Sequence, residues 1–375
     1  MSSDFEANGR VVIIGGGPAG LAAGIALAQL GRRPIVISRI DQASRSRPKI
    51  GESLAPRAWP ILQRLGIEHL IDDRRHLQSP GTLSSWGHAG LASEDFLFHA
   101  NGLGWHLDRN RFETELREFA ESIGIQAIES TKFRIERAES NGWNIGLEST
   151  GKTIFADILI DASGRSAAVA QYEGVRRKVY DRLAAWYAFL ESPTPIEDAR
   201  AMVEARPEGW WYSALLPGGR LVVALFCDPA RLAGMNRSME KWQDSLAETQ
   251  WTRQRVADGR YQATEPPRVA AADSSILERI GGSNWVACGD AAACYDPLSS
   301  HGIATALASG MDAASAVHAA LGGDLEPFER YVDRVSRSFS YYFSMRAEVY
   351  AQEKRWSDSP FWAARSRIDF EESTC

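Results

Sequence analysis

Residues suited to chemistry in this 375-residue chain cluster beside its glycines. Gly15-Gly16-Gly17-Pro18-Ala19-Gly20 has the G-x-G-x-x-G spacing, Glu52 follows Gly51, Asp290 follows Gly289, and His301 precedes Gly302. The glycine spacing suits a pyrophosphate: Gly15 permits a tight turn, Gly17 lets the backbone approach the phosphates, and Gly20 allows close helix–strand packing. A helix starting there would direct free N–H groups at the negative charge. Glu52 can act as a base or orient a substrate, Asp290 can accept hydrogen bonds from hydroxyls, and His301 can relay a proton. Each also has a plainer role available: a salt bridge for Glu52, a loop acid for Asp290, a packing contact for His301.

The flanking pattern supplies the elements that would position these groups. Residues 10–14 read as a strand buried on both faces, 21–30 as an Ala- and Leu-rich helix, and 34–37 as a second apolar strand. Strand, glycine loop, helix and strand together indicate dinucleotide binding. One position departs from that pattern. The acid that normally ends the second strand and binds ribose hydroxyls is replaced by Ser38, followed by Arg39. A neutral hydroxyl is the weaker partner, and Arg39 would favour a phosphate.

Beyond a polar stretch at 39–49, helices are expected near 59–65 and 111–123, and a strand at 154–161. Bulky aromatics mark residues 171–267 as an antiparallel sheet with one face lining a cavity. A strand at 285–288 and a long Ala-rich helix at 301–321 return to the first domain. The tail from Leu325 is helical in pattern and rich in aromatics.

Composition narrows the class. The chain is 44% hydrophobic and 24% charged, with net charge −6, which gives no support for a nucleic-acid binder. No apolar run is long enough to span a bilayer, and the polar N-terminus lacks a secretory pattern, so a cytoplasmic protein is expected. Cys227, Cys288, Cys294 and Cys375 form no CxxC pair or Cys/His cluster; buried free thiols and no metal site are expected.

Three further segments carry a resemblance: Asp161-Ala162-Ser163-Gly164-Arg165, Cys288-Gly289-Asp290-Ala291-Ala292, and Asp296-Pro297-Leu298-Ser299-Ser300-His301-Gly302-Ile303. With them the sequence resembles the flavoprotein monooxygenase superfamily. The resemblance implies FAD as the dinucleotide, with Asp290 on its ribityl chain, the helix start at Gly302 facing its ring system, and Arg109 as a flavin-contacting arginine. It extends the expected cofactor set to Ala19, Lys49, Ser53, Asp161, Gly164, Gly289, Pro297 and Ile303. The expected fold is α/β: a Rossmann-like FAD-binding domain of the glutathione-reductase/PHBH type, an inserted antiparallel-sheet substrate domain and a helical C-terminal tail. Domain limits are expected at 1–75, 100–170 and 270–325 for the first, 76–99 and 171–269 for the second, and 326–375 for the tail.

A narrower resemblance rests on Lys49-Ile50-Gly51-Glu52-Ser53-Leu54-Ala55-Pro56, Gly104-Trp105-His106-Leu107-Asp108-Arg109 and Gly209-Trp210-Trp211-Tyr212-Ser213. These look like the branch shared by tryptophan halogenases, geranylgeranyl reductases and the flavoprotein maturases of tryptophylquinone enzymes. The halogenase machinery is incomplete: residues 74–86 contain no lysine, Ser299 stands where a catalytic glutamate is expected, and the WxWxIP signature is only echoed at 210–217. The resemblance therefore implies an FAD-dependent monooxygenase that hydroxylates an aromatic ring, foremost a peptide or protein tryptophan during quinone-cofactor biogenesis. A free indole, phenol or pyrrole is the alternative substrate; ene-reduction, halogenation and a non-catalytic flavoprotein are the remaining readings. Trp86, Trp105, Trp210 and Trp211 are candidates to line the cavity, or plain core. No second nucleotide fingerprint is present, so electrons would come from NAD(P)H directly or through a partner flavin reductase, with O2 as co-substrate.

Overall fold

The computed structural model describes residues 10–39, 48–72, 74–130, 132–235 and 237–366. Residues 1–9, most of the polar stretch at 39–49, the end of the tail and Cys375 lie outside them.

The chain opens with β1 (Val11–Ile14), α1 (Pro18–Gln29) and β2 (Ile35–Arg39). All four residues of β1 are buried, as a strand covered on both faces requires. α2 (Trp59–Leu65) follows, then β3 (Gly81–Ser85), β4 (Ala92–Asp95), α3 (Arg109–Ser122), β5 (Gln126–Ser130), β6 (Ile158–Asp161) and the short α4 (Ala168–Tyr172). The middle of the chain forms β7 (Ala184–Glu191), β8 (Ala201–Arg206), β9 (Gly209–Leu215), β10 (Leu221–Cys227), α5 (Met239–Ala247), α6 (Trp251–Asp258), β11 (Gln262–Ala263) and β12 (Arg268–Ala271). The last part comprises β13 (Gly281–Gly282), β14 (Trp285–Ala287), α7 (Gly302–Leu321), α8 (Glu326–Ala351) and α9 (Pro360–Arg365).

Two sheets organise these elements. The first runs β13-β14-β6-β1-β2-β5 and is parallel except at β13. α1 and α7 lie against each other beside it, closely enough that a Cβ on Gly310 would sit 2.2 Å from the Ala19 carbonyl oxygen. Gly15 is held at φ +120°, where a Cβ would meet the Ala162 carbonyl at 2.1 Å, so this turn admits glycine alone.

The second sheet runs β11-β7-β10-β9-β8-β3-β4, with β12 paired to β7. Side chains alternate across it. Trp186, Trp211, Leu225 and Cys227 face one way, into a core closed by Trp242 and Leu246 of α5. Ala185, Trp210, Ala224 and Phe226 face the other way, and Tyr350, Phe361 and Trp362 of the tail pack on that side.

Three expectations about elements change. The strand expected at 154–161 is two strands, Lys152–Ala156 and Ile158–Asp161, belonging to different sheets. The break is Asp157, whose carboxylate and amide both bond the backbone of Arg10. The sheet expected to be antiparallel contains one parallel pair, β3 with β8, because β3 arrives from a distant part of the chain. Residues 171–267 also contain α5 and α6, which cover the apolar face that the sheet would otherwise expose. Among the described residues, no helix is long and apolar enough to cross a membrane.

Candidate functional site

A cavity of about 360 Å³ lies between the two sheets, a volume within the range of small-molecule sites. Its first wall is the start of α1, where Gly17 and Ala19 line it. Its second is the start of α7, through Pro297, His301, Gly302 and Ile303. Neither helix has a side-chain cap at its N-terminus, so backbone N–H groups of both remain available for an anion. A Cβ added to Gly17 would meet no protein atom within 4 Å; it would project into open space. Arg109 reaches the cavity with its Nε buried and unpartnered, its Nη1 on the Gly51 carbonyl and its Nη2 2.5 Å from Glu113. Asp290, Gly164 and Arg165 complete this side. Two helix starts, an open glycine, a cation with an orphaned N–H and an acid facing the cavity fit a phosphate-bearing polyol, as FAD is.

The opposite wall is the second sheet. Trp210 stacks on Phe226 with ring centroids 4.0 Å apart, and its Nε1–H donates to the Tyr350 hydroxyl at 2.9 Å. Tyr212, two residues on and on the same face, donates to Glu52 Oε1 at 2.7 Å and lies 2.8 Å from Ser53 Oγ. Because the tyrosine proton goes to Glu52, Ser53 is the donor to Tyr212, which leaves the Ser53 oxygen free to accept from the cavity. The Gly51 amide donates to Glu52 Oε2 at 2.8 Å. Glu52 is 1% exposed, and burial raises its carboxyl above the usual 4.5. His301 places Nδ1 3.3 Å from the Arg57 guanidinium, which can only donate, so the imidazole proton belongs on Nε2. That Nε2 is buried without a hydrogen-bond partner.

Other expected site residues sit elsewhere. Asp161 does not reach the cavity: both carboxylate oxygens are used inside the fold, bonding Ser163 and the amides of Val169 and Ala170 at the start of α4. Gly20 and Gly289 serve packing, each with a Cβ position blocked by the glycine loop or α1. Lys49 pairs with Glu113 at 2.5 Å, on the acid that also holds Arg109. Trp211 points into the opposite core, since strand neighbours alternate. Trp86 is tied to the tail through the Val349 carbonyl, and Trp105 packs on the core of the first sheet.

At the far end of the glycine loop, Ser38 is buried, Arg39 is exposed, and a carboxylate arrives from the neighbouring strand. Glu129 is the register partner of Ser38, and Arg117 joins the two, bonding Glu129 and, at 3.3 Å, Ser38 Oγ. Glu129 therefore stands beside the position where an acid ending β2 would bind ribose. Glu129→Gln is expected to weaken FAD roughly 10-fold, from the ~1.5 kcal/mol of a charge-assisted hydrogen bond, without altering riboflavin affinity. Fluorescence titration of both flavins measures it; equal weakening of the two would place Glu129 outside the adenosine site.

Reading residues singly missed Tyr212, Phe226, Arg57, Arg117 and Glu129. Tyr212 was accessible in principle, because period-2 alternation pairs it with Trp210.

Comparison with known proteins places these features in context. The tryptophan halogenase family model matches residues 10–79 and 89–374. LodB of Marinomonas mediterranea, assigned as an FAD-dependent oxidoreductase, is 28% identical over 94% of this chain and 96% of its own length. The crystal structure of CmlS, a flavin-dependent halogenase, aligns with TM-score 0.84 and 25% identity over 98% of this chain and 69% of that one. The peptidyl tryptophan dihydroxylase QhpG, essential for tryptophylquinone cofactor biogenesis, aligns with TM-score 0.80 and 23% identity, over 98% and 80%.

Proposed function

This chain belongs to the tryptophan halogenase family and is an FAD-dependent oxidoreductase; within that family we propose that it hydroxylates an aromatic ring, namely a tryptophan side chain of a peptide or protein. The observation that carries this reading is the composition of the cavity wall. Among the described residues, no lysine lines it, and its two arginines, Arg109 and Arg165, are already engaged. An ammonium group to carry oxidised halide from cofactor to substrate is therefore missing, and Ser299 replaces the acid expected with it. What the wall does offer is an aromatic floor, Trp210 on Phe226, and a proton path ending on a buried acid. The likeness to QhpG supports the same reading, and the match to LodB supports the FAD-dependent oxidoreductase chemistry beneath it.

FAD would be held by the starts of α1 and α7, Arg109, Asp290 and the strand-end cluster of Ser38, Arg117 and Glu129. Once reduced, it supplies the activation of oxygen. The protein's own groups do the rest. Trp210 and Phe226, 1% and 3% exposed, form a rigid apolar backing, and the half-buried Ile50 and Tyr212 beside them offer the surface that a substrate ring can meet. Ser53 Oγ accepts a proton released by the substrate and passes its own to Tyr212, Tyr212 passes its own to Glu52, and Glu52 ends protonated, the form its burial favours. His301 offers Nε2–H to an acceptor in the cavity, with Arg57 fixing the tautomer. NAD(P)H, directly or through a flavin reductase, is the proposed electron source. In this reading the FAD-binding domain comprises 1–75, 100–170 and 270–325, the substrate domain 76–99 and 171–269, and the tail 326–375.

The test is direct. Holoprotein supplied with NAD(P)H, a flavin reductase, oxygen and Trp-containing peptides should add 16 or 32 mass units to the peptide. Chloride or bromide should leave the products unchanged. Incorporation of halogen, or modification only of free indoles or phenols, would overturn the proposal.

A further inference from the structure

The floor of the cavity continues along the second sheet. Ala185 of β7 and Ala270 of β12 are register partners, and both line the cavity. The next pair on the same face, Tyr187 and Arg268, lines a second pocket of about 240 Å³, with Phe189 beyond it. Two residues of strand separate the pockets, about 7 Å. Phe189 of the second pocket, and Ile50 and Tyr212 of the first, pack on one apolar cluster around Ala214, Leu216 and Val222, which forms the partition.

The cations of this second pocket differ. Arg268 is paired with Glu265. Arg220, which follows the turn between β9 and β10, is half-buried, and its guanidinium has no hydrogen bond or ion pair among the described residues. An unpaired guanidinium at the edge of a pocket is open to an anion, and such a charge-assisted contact is among the stronger hydrogen bonds. Glu191, the remaining carboxylate of the pocket, is exposed. On its other side, Arg220 borders a more open cleft over the start of α3, walled by Asp108, Glu115 and Glu118. Arg111 also lines that cleft and is paired with Glu115 at 2.9 Å, while Asp108 accepts from the Arg111 amide, so the carboxylates outnumber the cations there and the sheet side is the better place for an anion on Arg220.

We propose that this second pocket is a subsite for an acidic side chain of the substrate, an aspartate or glutamate about two residues from the oxidised aromatic in an extended peptide, received by Arg220. The proposal rests on the peptide reading above. It also gives a reason for a peptide to be held in one register: the acid anchors while the ring enters the cavity.

The experiment uses the FAD-loaded protein and blocked pentapeptides with one tryptophan and, two residues before or after it, Asp or Asn in a background of alanine. Binding is followed by calorimetry. In one of the two orientations the Asp peptide should bind about 10-fold more tightly than the Asn peptide, as a charge-assisted bidentate contact provides. Arg220→Gln should abolish the difference, Arg220→Lys should keep part of it, and moving Asp to four residues from tryptophan should remove it. Equal affinity of Asp and Asn peptides overturns the subsite and leaves the peptide reading standing, as does an Asp preference that survives Arg220→Gln. Failure of every peptide to bind, while free indoles do, overturns both.

Discussion

Arg346→Met is expected to destabilise the protein by about 3–5 kcal/mol, the cost of leaving buried charges without their partner. Arg346 is 5% exposed and bonds Asp296, itself 1% exposed, at 3.0 Å through Nε, and Asp181 through Nη2. Its guanidinium also lies 4.6 Å over the Tyr350 ring, and Tyr350 donates to the same Asp296 oxygen at 2.8 Å. Arg365 of α9 extends the set to Asp228, at 2.7 Å. Methionine preserves the stem but removes the cation between the two carboxylates, leaving Asp181 with Arg365 at 3.4 Å and Asp296 with its hydrogen bonds from Tyr350 and the Leu298 amide. Urea unfolding measures the loss, and the triple variant with Asp181→Asn and Asp296→Asn should recover a substantial part of it, since no charge is then left alone. A loss under 1 kcal/mol for the single variant would show that these ions are hydrated rather than buried.

Glu52→Gln is expected to lower kcat on a tryptophan peptide about 100-fold or more, the usual scale of a positioned base. Tyr212→Phe, which cuts the path between Ser53 and Glu52, should approach the same loss with the acid intact. The pH dependence has a definite sign. Burial raises the Glu52 carboxyl above 4.5, and a base must be ionised, so wild-type activity should climb as pH rises through that raised value. Glu52→Gln should lose this acidic limb. Stability moves oppositely: a raised pKa stabilises the fold below 4.5 and that contribution is lost as pH rises through the folded value. The difference in Tm between wild type and Glu52→Gln should therefore shift against the wild type over that interval. A Gln variant with full turnover and an unchanged limb would remove Glu52 from the chemistry.

Local pattern was enough for much of this architecture. An apolar run, three glycines and a small-residue helix specify β1, the loop and α1 because turn sterics and helix packing act between near neighbours. The same holds for Gly302, where a glycine opens a long Ala-rich helix. What local pattern could not supply was partnership across distance. Arg57 and His301 are 244 residues apart, and Arg117 and Ser38 are 79 apart. The place of Glu129 beside Ser38 was invisible until the β2–β5 register set it there. Asp161 was assigned to the flavin by its motif, yet Ser163 occupies one of its oxygens and the start of α4 the other. Trp211 was misplaced for a simpler reason, because adjacent tryptophans on one strand cannot share a face.

The Arg346 network also bears on how the two halves of the cavity respond to their occupants. Asp296 sits in the loop that leads to the start of α7, while Tyr350, bound to it, carries the hydrogen bond from Trp210 in the floor of the second sheet. One buried carboxylate thus touches the cofactor's wall and, through a single phenol, the substrate's. Any ligand that tightens one wall reduces the freedom the other has left to lose. Cofactor and substrate affinities are then linked variables, and linkage of this kind is reciprocal: whatever factor flavin adds to substrate binding, substrate must return to flavin.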